Sequence, residues 1–201
     1  MSRPQDSAKR ERIIAAAFHT FGEVGFSNAT IKDIAARADI APGTVYTYFS
    51  DKRDLFRYTV QSAWTELHAE LDAIRKSSGS YDEKLSRLRR TGLALLKRMH
   101  PILNGMFSEA VRMDLFNDNL DRFLDRLEEL YLEGLNRGEV HELQDHHQRR
   151  FLLRTIACGL ILQISIVEAE HLDAEIERLH EDLERNERAW LNMNRLIGGR
   201  T

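Results

Sequence analysis

Cysteine, proline and unbroken apolar runs are all scarce in this chain of 201 residues. The single cysteine, Cys158, has no second thiol to pair with, so no internal disulfide can form. Three prolines, with 42% apolar and 30% charged residues, favour a soluble and largely helical protein. No apolar run of signal-peptide type opens the sequence. The longest apolar stretch, residues 156–167, is interrupted by Gln163 and Ser165 and falls short of the roughly 20 residues that span a bilayer. A cytoplasmic chain without a membrane segment is expected.

Catalytic signatures are missing too. There is no G-x-S-x-G, no phosphate-binding loop and no Cys/His nucleophile arrangement. A helical-bundle metalloenzyme could draw on His100, Glu109 and Asp114, but none of these belongs to a Glu-x-x-His pair of the kind that di-iron bundles point inward. His141, Asp145, His146 and His147 cluster, yet adjacent histidines point apart on a helix and no CxxC or HExxH accompanies them. Neither catalysis, metal nor cofactor is expected. The net charge of −3 gives no strong basic signal, but its distribution is uneven. Residues 1–60 carry nine Lys/Arg against seven Asp/Glu, and the remainder twenty against twenty-five. A mildly positive amino-terminal end on an acidic body would orient the molecule on DNA.

What the sequence does contain is a compact pattern at residues 30–53. Thr30 is a good N-cap with a carboxylate three residues later at Asp33, and Ile31, Ile34, Ala35 and Ala38 follow on one helical face. Asp39-Ile40-Ala41 breaks the run, and Pro42 suits the first position of a second helix. In that helix Val45 and Phe49 lie four apart as core anchors, which turns Gly43, Thr44, Thr47 and Tyr48 outward. Small, hydroxyl-bearing and aromatic residues suit a DNA groove, and Lys52, after a Ser50 cap, adds a cation for a phosphate. The parts fit a helix-turn-helix.

The stretch from Gly43 to Leu55, GTVYTYFSDKRDL, resembles the G-T-[LV]-Y-x-Y-F-x-x-K-x-x-L signature of the tetracycline-repressor (TetR/AcrR) family of bacterial transcription regulators. Residues 13–18, Phe21-Gly22, Gly25-Phe26 and 30–35 continue the likeness, which covers roughly residues 10–60. Ala41 departs from it where a capping Ser is common, and Pro42 replaces a commonly polar position. The resemblance implies an all-α protein with a helix-turn-helix DNA-binding domain at 8–54 and a helical effector-binding and dimerisation domain at 55–201. It places Thr44, Tyr46 and Tyr48 in the groove, beside Pro42, Gly43 and Thr47. Thr30, Lys32 and Lys52 become phosphate clamps.

Beyond the module, helical stripes are expected over 54–76, from Leu85 to His100-Pro101, over 102–113 and over 117–136, followed by a polar connection to about Asp145. Trp64, His68, Met99, Leu103, Met106, Phe107, Arg112, Phe116, Phe123, Tyr131 and Thr155 are candidates for lining an effector cavity of the kind the resemblance implies. The segment 151–167 is apolar nearly all round, and the last helix carries a seam spaced by fours and threes. Ile156, Leu160, Ile164, Val167, Ile176, Leu179, Leu183 and Trp190 are therefore expected in a homodimer interface, as the resemblance also implies. The expected function is a repressor that binds a palindromic operator as a dimer, half-sites about 34–36 Å apart, and is released by an apolar or amphipathic effector. A constitutive DNA-binding regulator without effector is the alternative.

Overall fold

In the computed structural model the backbone is described for residues 4–139 and 145–198, and side chains at those positions except 4–5, 101–102, 104–112 and 187–198. The described residues form α-helices joined by turns, with no strand among them. The chain is all-α.

Three helices come first: α1 (Pro4–Asn28), α2 (Ile31–Arg37) and α3 (Pro42–Val45). The sequence predicts an end to α1 at Gly22 to Gly25. The backbone does leave helical geometry at Gly25, whose φ of 76° a residue without a Cβ adopts freely, and one separate turn follows to Asn28. α2 opens on the expected capping box: the Asp33 N–H donates to Thr30 Oγ1 at 3.2 Å, and the Thr30 N–H donates back to the Asp33 carboxylate at 3.2 Å. It closes on Asp39, left-handed at φ 53°, with the Asp39 N–H bonded to Ala36 O and the Ile40 N–H to Ala35 O. That pair of bonds is a Schellman closure, built on an aspartate where glycine is usual.

α4 (Lys52–Lys76), α5 (Tyr81–Arg112), α6 (Asn117–Asn136), α7 (His146–Ser165) and α8 (Leu172–Gly198) complete the chain. The expected break at His100-Pro101 does not occur, and α5 runs through Pro101 as one 32-residue helix. α7 also begins earlier than its apolar run suggests, because Asp145 caps it by accepting from the Gln148 N–H at 3.0 Å.

Packing divides the chain into two compact units, one of Met1–Thr65 with Met99–Asn119, the other of Glu66–Arg98 with Leu120–Thr201. These differ from the expected segments 8–54 and 55–201, since α4 and α5 each contribute to both. In the first unit Ile13, Ala17, Phe21, Ile34, Ala35, Val45, Phe49, Leu55 and Phe56 are fully buried. In the second, Tyr81, Leu130 and Tyr131 pack with Leu85, Leu88 and Leu135. A Cβ at Gly134 would lie 2.6 Å from the Tyr81 ring, so this position has no room for a side chain. Among the described residues no single helix is long and apolar enough to cross a membrane.

Candidate nucleic-acid interface

The segment from Pro42 to Phe49 is held from beneath and open above. Val45 and Phe49 are buried, whereas Pro42, Gly43, Tyr46 and Thr47 are exposed and Thr44 and Tyr48 half-buried. Only Pro42–Val45 is α-helix, and the chain continues in turns bonded Thr47 N–H to Thr44 O and Tyr48 N–H to Val45 O. An added Cβ at Gly43 would meet nothing within 4 Å, so the surface there is open to close approach. α1 braces this element. The Arg10 guanidinium lies 4.5 Å from the Tyr58 ring centre and 5.5 Å from that of Phe49, and Arg12 donates to the Ala38 carbonyl at the end of α2. A cation at a helix carboxy-terminus is favourably placed against the dipole. Arg37 and Glu23 pair between α2 and α1, and that guanidinium holds the Glu23 carboxyl below its ordinary pKa.

The candidate side chains separate by whether their protons are already committed. A phosphate oxygen only accepts, so a donor spent inside the protein is not available to it. The Thr30 hydroxyl donates to the Asp33 carboxylate at 2.6 Å, and the Thr47 hydroxyl donates to Thr44 O at 2.5 Å. The Tyr48 hydroxyl donates to Asp6 Oδ1 at 2.8 Å, and that acceptor raises the phenol pKa above its ordinary value. Lys32, Thr44 and Tyr46, by contrast, have no side-chain hydrogen-bond partner among the described residues, and Tyr46 is 57% exposed.

Lys52 departs most from the sequence expectation. Its ammonium donates to Phe26 O at 2.8 Å, Ala29 O at 2.9 Å and Ser27 O at 3.3 Å, and it lies 4.7 Å from the Phe26 ring centre. The cation closes the end of α1 rather than standing free as a phosphate clamp. The Thr30 hydroxyl is likewise tied into the cap of α2. Replacing Lys52 by Met should lower stability in urea denaturation by about 1.5–3 kcal/mol, the usual worth of hydrogen bonds from a charged donor. The slope of log K for DNA against log salt should stay as in the wild type. A slope reduced by about one unit would return Lys52 to the phosphates.

The expected effector residues are divided between the two units. In the first, Trp64 and Leu103 are buried, Met99 and Phe116 are half-buried, and the Trp64 and Phe116 rings meet edge to face at 5.7 Å. In the second, His68 and Tyr131 are buried, Tyr131 in the core cluster beside Tyr81, and Phe123 is half-buried. Thr155 is exposed on α7 with its hydroxyl turned back to Phe151 O at 2.8 Å, so it is not an anchor inside a cavity. The side chains of Met106, Phe107 and Arg112 lie outside the described residues.

Of the expected interface residues, Ile156 is exposed, and Leu160, Val167, Ile176 and Leu183 are half-buried. Ile164 on α7 and Leu179 on α8 are buried within the chain's own second unit and belong to its core, because an all-round apolar helix gives one face, and an amphipathic helix its apolar face, to its own fold. The Trp190 side chain and His141 lie outside the described residues. His146 is bonded through Nδ1 to Glu128 at 2.6 Å. Sequence reading missed the Asp6–Tyr48 bond and the Arg12 contact, whose partners stand 42 and 26 residues apart.

Comparison with known proteins agrees with this geometry. The Fatty acid metabolism regulator protein of Bacillus subtilis is 26% identical over 143 residues, 69% of this chain and 74% of the relative. Among solved structures, the fatty acid degradation regulator FadR from Bacillus halodurans superposes with a TM-score of 0.71 at 23% identity, covering 90% of this chain and 95% of that one. The transcriptional regulator FadR from Bacillus subtilis in complex with stearoyl-CoA gives a TM-score of 0.59 at 21% identity, covering 84% and 96%. At such identities the structures speak to the fold. Residues 13–59 match the family described as bacterial regulatory proteins, tetR family. These relatives are transcription regulators, not enzymes. Residues 13–59 thus carry the helix-turn-helix module of the tetR family of bacterial regulatory proteins.

Proposed function

We propose that the protein is a homodimeric repressor that reads a palindromic operator with residues 42–49 and is released by a long-chain fatty acyl effector. The observation that carries the DNA reading is the outward set of uncommitted donors, Lys32, Thr44 and Tyr46, around an element anchored by Val45 and Phe49. Thr44 and Tyr46 are assigned to the groove and its walls, Lys32 to a phosphate, and Pro42 and Gly43 to close backbone approach. Thr47 and Tyr48 face the groove with their protons already given away. Pairing of two copies is supported by the apolar surface of α7 and its C-cap residue, where Phe151 and Ile166 are each 73% exposed and Leu162 60%. Such a surface is covered most simply by its own two-fold mate.

The acyl reading is supported by the likeness to a fatty acid metabolism regulator across two thirds of the chain, and by the fold shared with the regulator solved with stearoyl-CoA. An effector releases DNA only by preferring the state that fits the operator poorly. α4, which contributes to both units, is the element through which occupancy would act. A hundredfold fall in operator affinity requires about 2.7 kcal/mol of such preference. The test is fluorescence anisotropy of the full chain on DNA from upstream of its own coding region, titrated with stearoyl-CoA, stearate and free coenzyme A. Stearoyl-CoA should lower affinity by about a hundredfold and free coenzyme A should leave it unchanged. Operator binding indifferent to all three would leave a constitutive regulator or a different effector class.

A further inference from the structure

The bond between Asp6 and Tyr48 carries an inference that rests on the DNA-binding reading and deepens it. Asp6 lies on α1 one turn before Arg10, and Arg10 is fixed against the Tyr58 and Phe49 rings. The carboxylate is thereby placed over Tyr48 by a braced helix, and it accepts the phenol proton at 2.8 Å while Tyr48 stays partly accessible. A phenol in that state offers only lone pairs to a second partner. A phosphate cannot use them, and the carboxylate charge beside it repels a phosphate further. The donors that the major groove presents are the exocyclic amino groups, N6 of adenine and N4 of cytosine.

We propose that Asp6 holds Tyr48 as a hydrogen-bond acceptor, so that Tyr48 reads the amino group of an adenine or a cytosine and Asp6 is a positioning residue for sequence preference. The surface then has two kinds of polar group. Thr44, Tyr46 and Lys32 keep donors for phosphates and acceptor edges, and Tyr48 supplies the acceptor that recognises an amino edge.

The experiment selects duplexes from a randomised library with the full-length wild-type protein, then replaces single adenines by purine and single cytosines by 2-pyrimidinone, which deletes the amino group alone. At one position in each half-site the wild type should lose about five- to tenfold in affinity, the low end of what one base-edge contact discriminates. The responding substitution tells adenine from cytosine. Y48F should bind the parent and the amino-deleted duplex equally. D6N, whose amide oxygen still accepts from the phenol, should keep the discrimination, and D6A should lose it. The proposal fails if no amino deletion affects the wild type more than Y48F, if Y48F weakens selected and random duplexes alike, or if D6A discriminates as the wild type does. Enrichment of no duplex by the wild type would instead bring down the DNA-binding reading on which the proposal rests.

Discussion

Replacing Phe56 by alanine should destabilise the amino-terminal unit by about 3–5 kcal/mol and abolish operator binding, although Phe56 touches no DNA. Its side chain is fully buried, with ring centres 4.9 Å from Phe26 and 5.4 Å from Phe21, both edge to face. Truncating a phenylalanine in a close-packed core loses its transfer free energy and adds a cavity term, together in the range of 3–5 kcal/mol. A whole domain is stable by only about 5–15 kcal/mol, so this one change consumes much of the margin. The cluster is also the floor of the interface. Phe26 supplies a carbonyl to Lys52, and Leu55 and Phe56 join α4 to the core that carries Val45 and Phe49. Phe56→Leu keeps most of the volume and loses mainly the ring geometry, with a cost of about 0.5–1.5 kcal/mol. Urea denaturation at fixed protein concentration, alongside anisotropy on operator DNA, reads both effects. A cost for Phe56→Ala near that of Phe56→Leu would mean the cavity collapses and the triad is not the keystone assigned here.

The parts of the fold legible in the sequence are those set by neighbours a few residues apart. The Thr30–Asp33 box, the start of α3 at Pro42 and the span of α6 all depend on caps and spacing within one or two turns, and they stand where they were read. Pro101 misled because a proline signals a lost bond locally, whereas a helix of 32 residues absorbs one such loss in its interior. Asp145, separated from the apolar run by the five polar residues 146–150, set the start of α7 through its cap and not through periodicity.

The functional surface was legible in outline and not in its proton bookkeeping. That Gly43, Thr44, Thr47 and Tyr48 are turned outward follows from the spacing of Val45 and Phe49 alone. Which hydroxyls remain free depends on partners brought in by tertiary folding: Asp6 reaches Tyr48 across 42 residues, and Lys52 reaches Phe26 O across 26. No window of local sequence contains both members of either pair. A lysine at a family position thus reads as a phosphate ligand in the sequence and as the seal of a helix end in the structure.

The second large effect is expected in the other unit, at Glu133. Lys84 is buried, its side chain 3% exposed, and its ammonium lies 2.7 Å from both Glu133 Oε1 and the Arg75 carbonyl. Glu133→Gln leaves that ammonium with a carbonyl and no counter-charge. Removing one partner of a buried pair costs about 3–5 kcal/mol, and the 27% exposure of the Glu133 side chain places this case near 3. Lys84→Met should cost less, under about 1.5 kcal/mol, because methionine fills the same channel and Glu133 keeps Arg137 at 2.6 Å and contact with solvent. The pH dependence follows from the same geometry. The Lys84 ammonium, more than Arg137 and Arg75, holds the Glu133 carboxyl below its ordinary pKa. A depressed carboxylate stabilises the fold fully above its unfolded value of about 4.3 and loses that contribution as pH falls through the lower folded value. The gap between wild type and Glu133→Gln should therefore be constant near neutrality and narrow progressively below about pH 4.3. Urea denaturation of the three proteins at neutral pH, repeated for wild type and Glu133→Gln on the acid side, distinguishes the outcomes. Equal costs for the two substitutions, or a gap that widens in acid, would show that Lys84 is not held as a buried cation by Glu133.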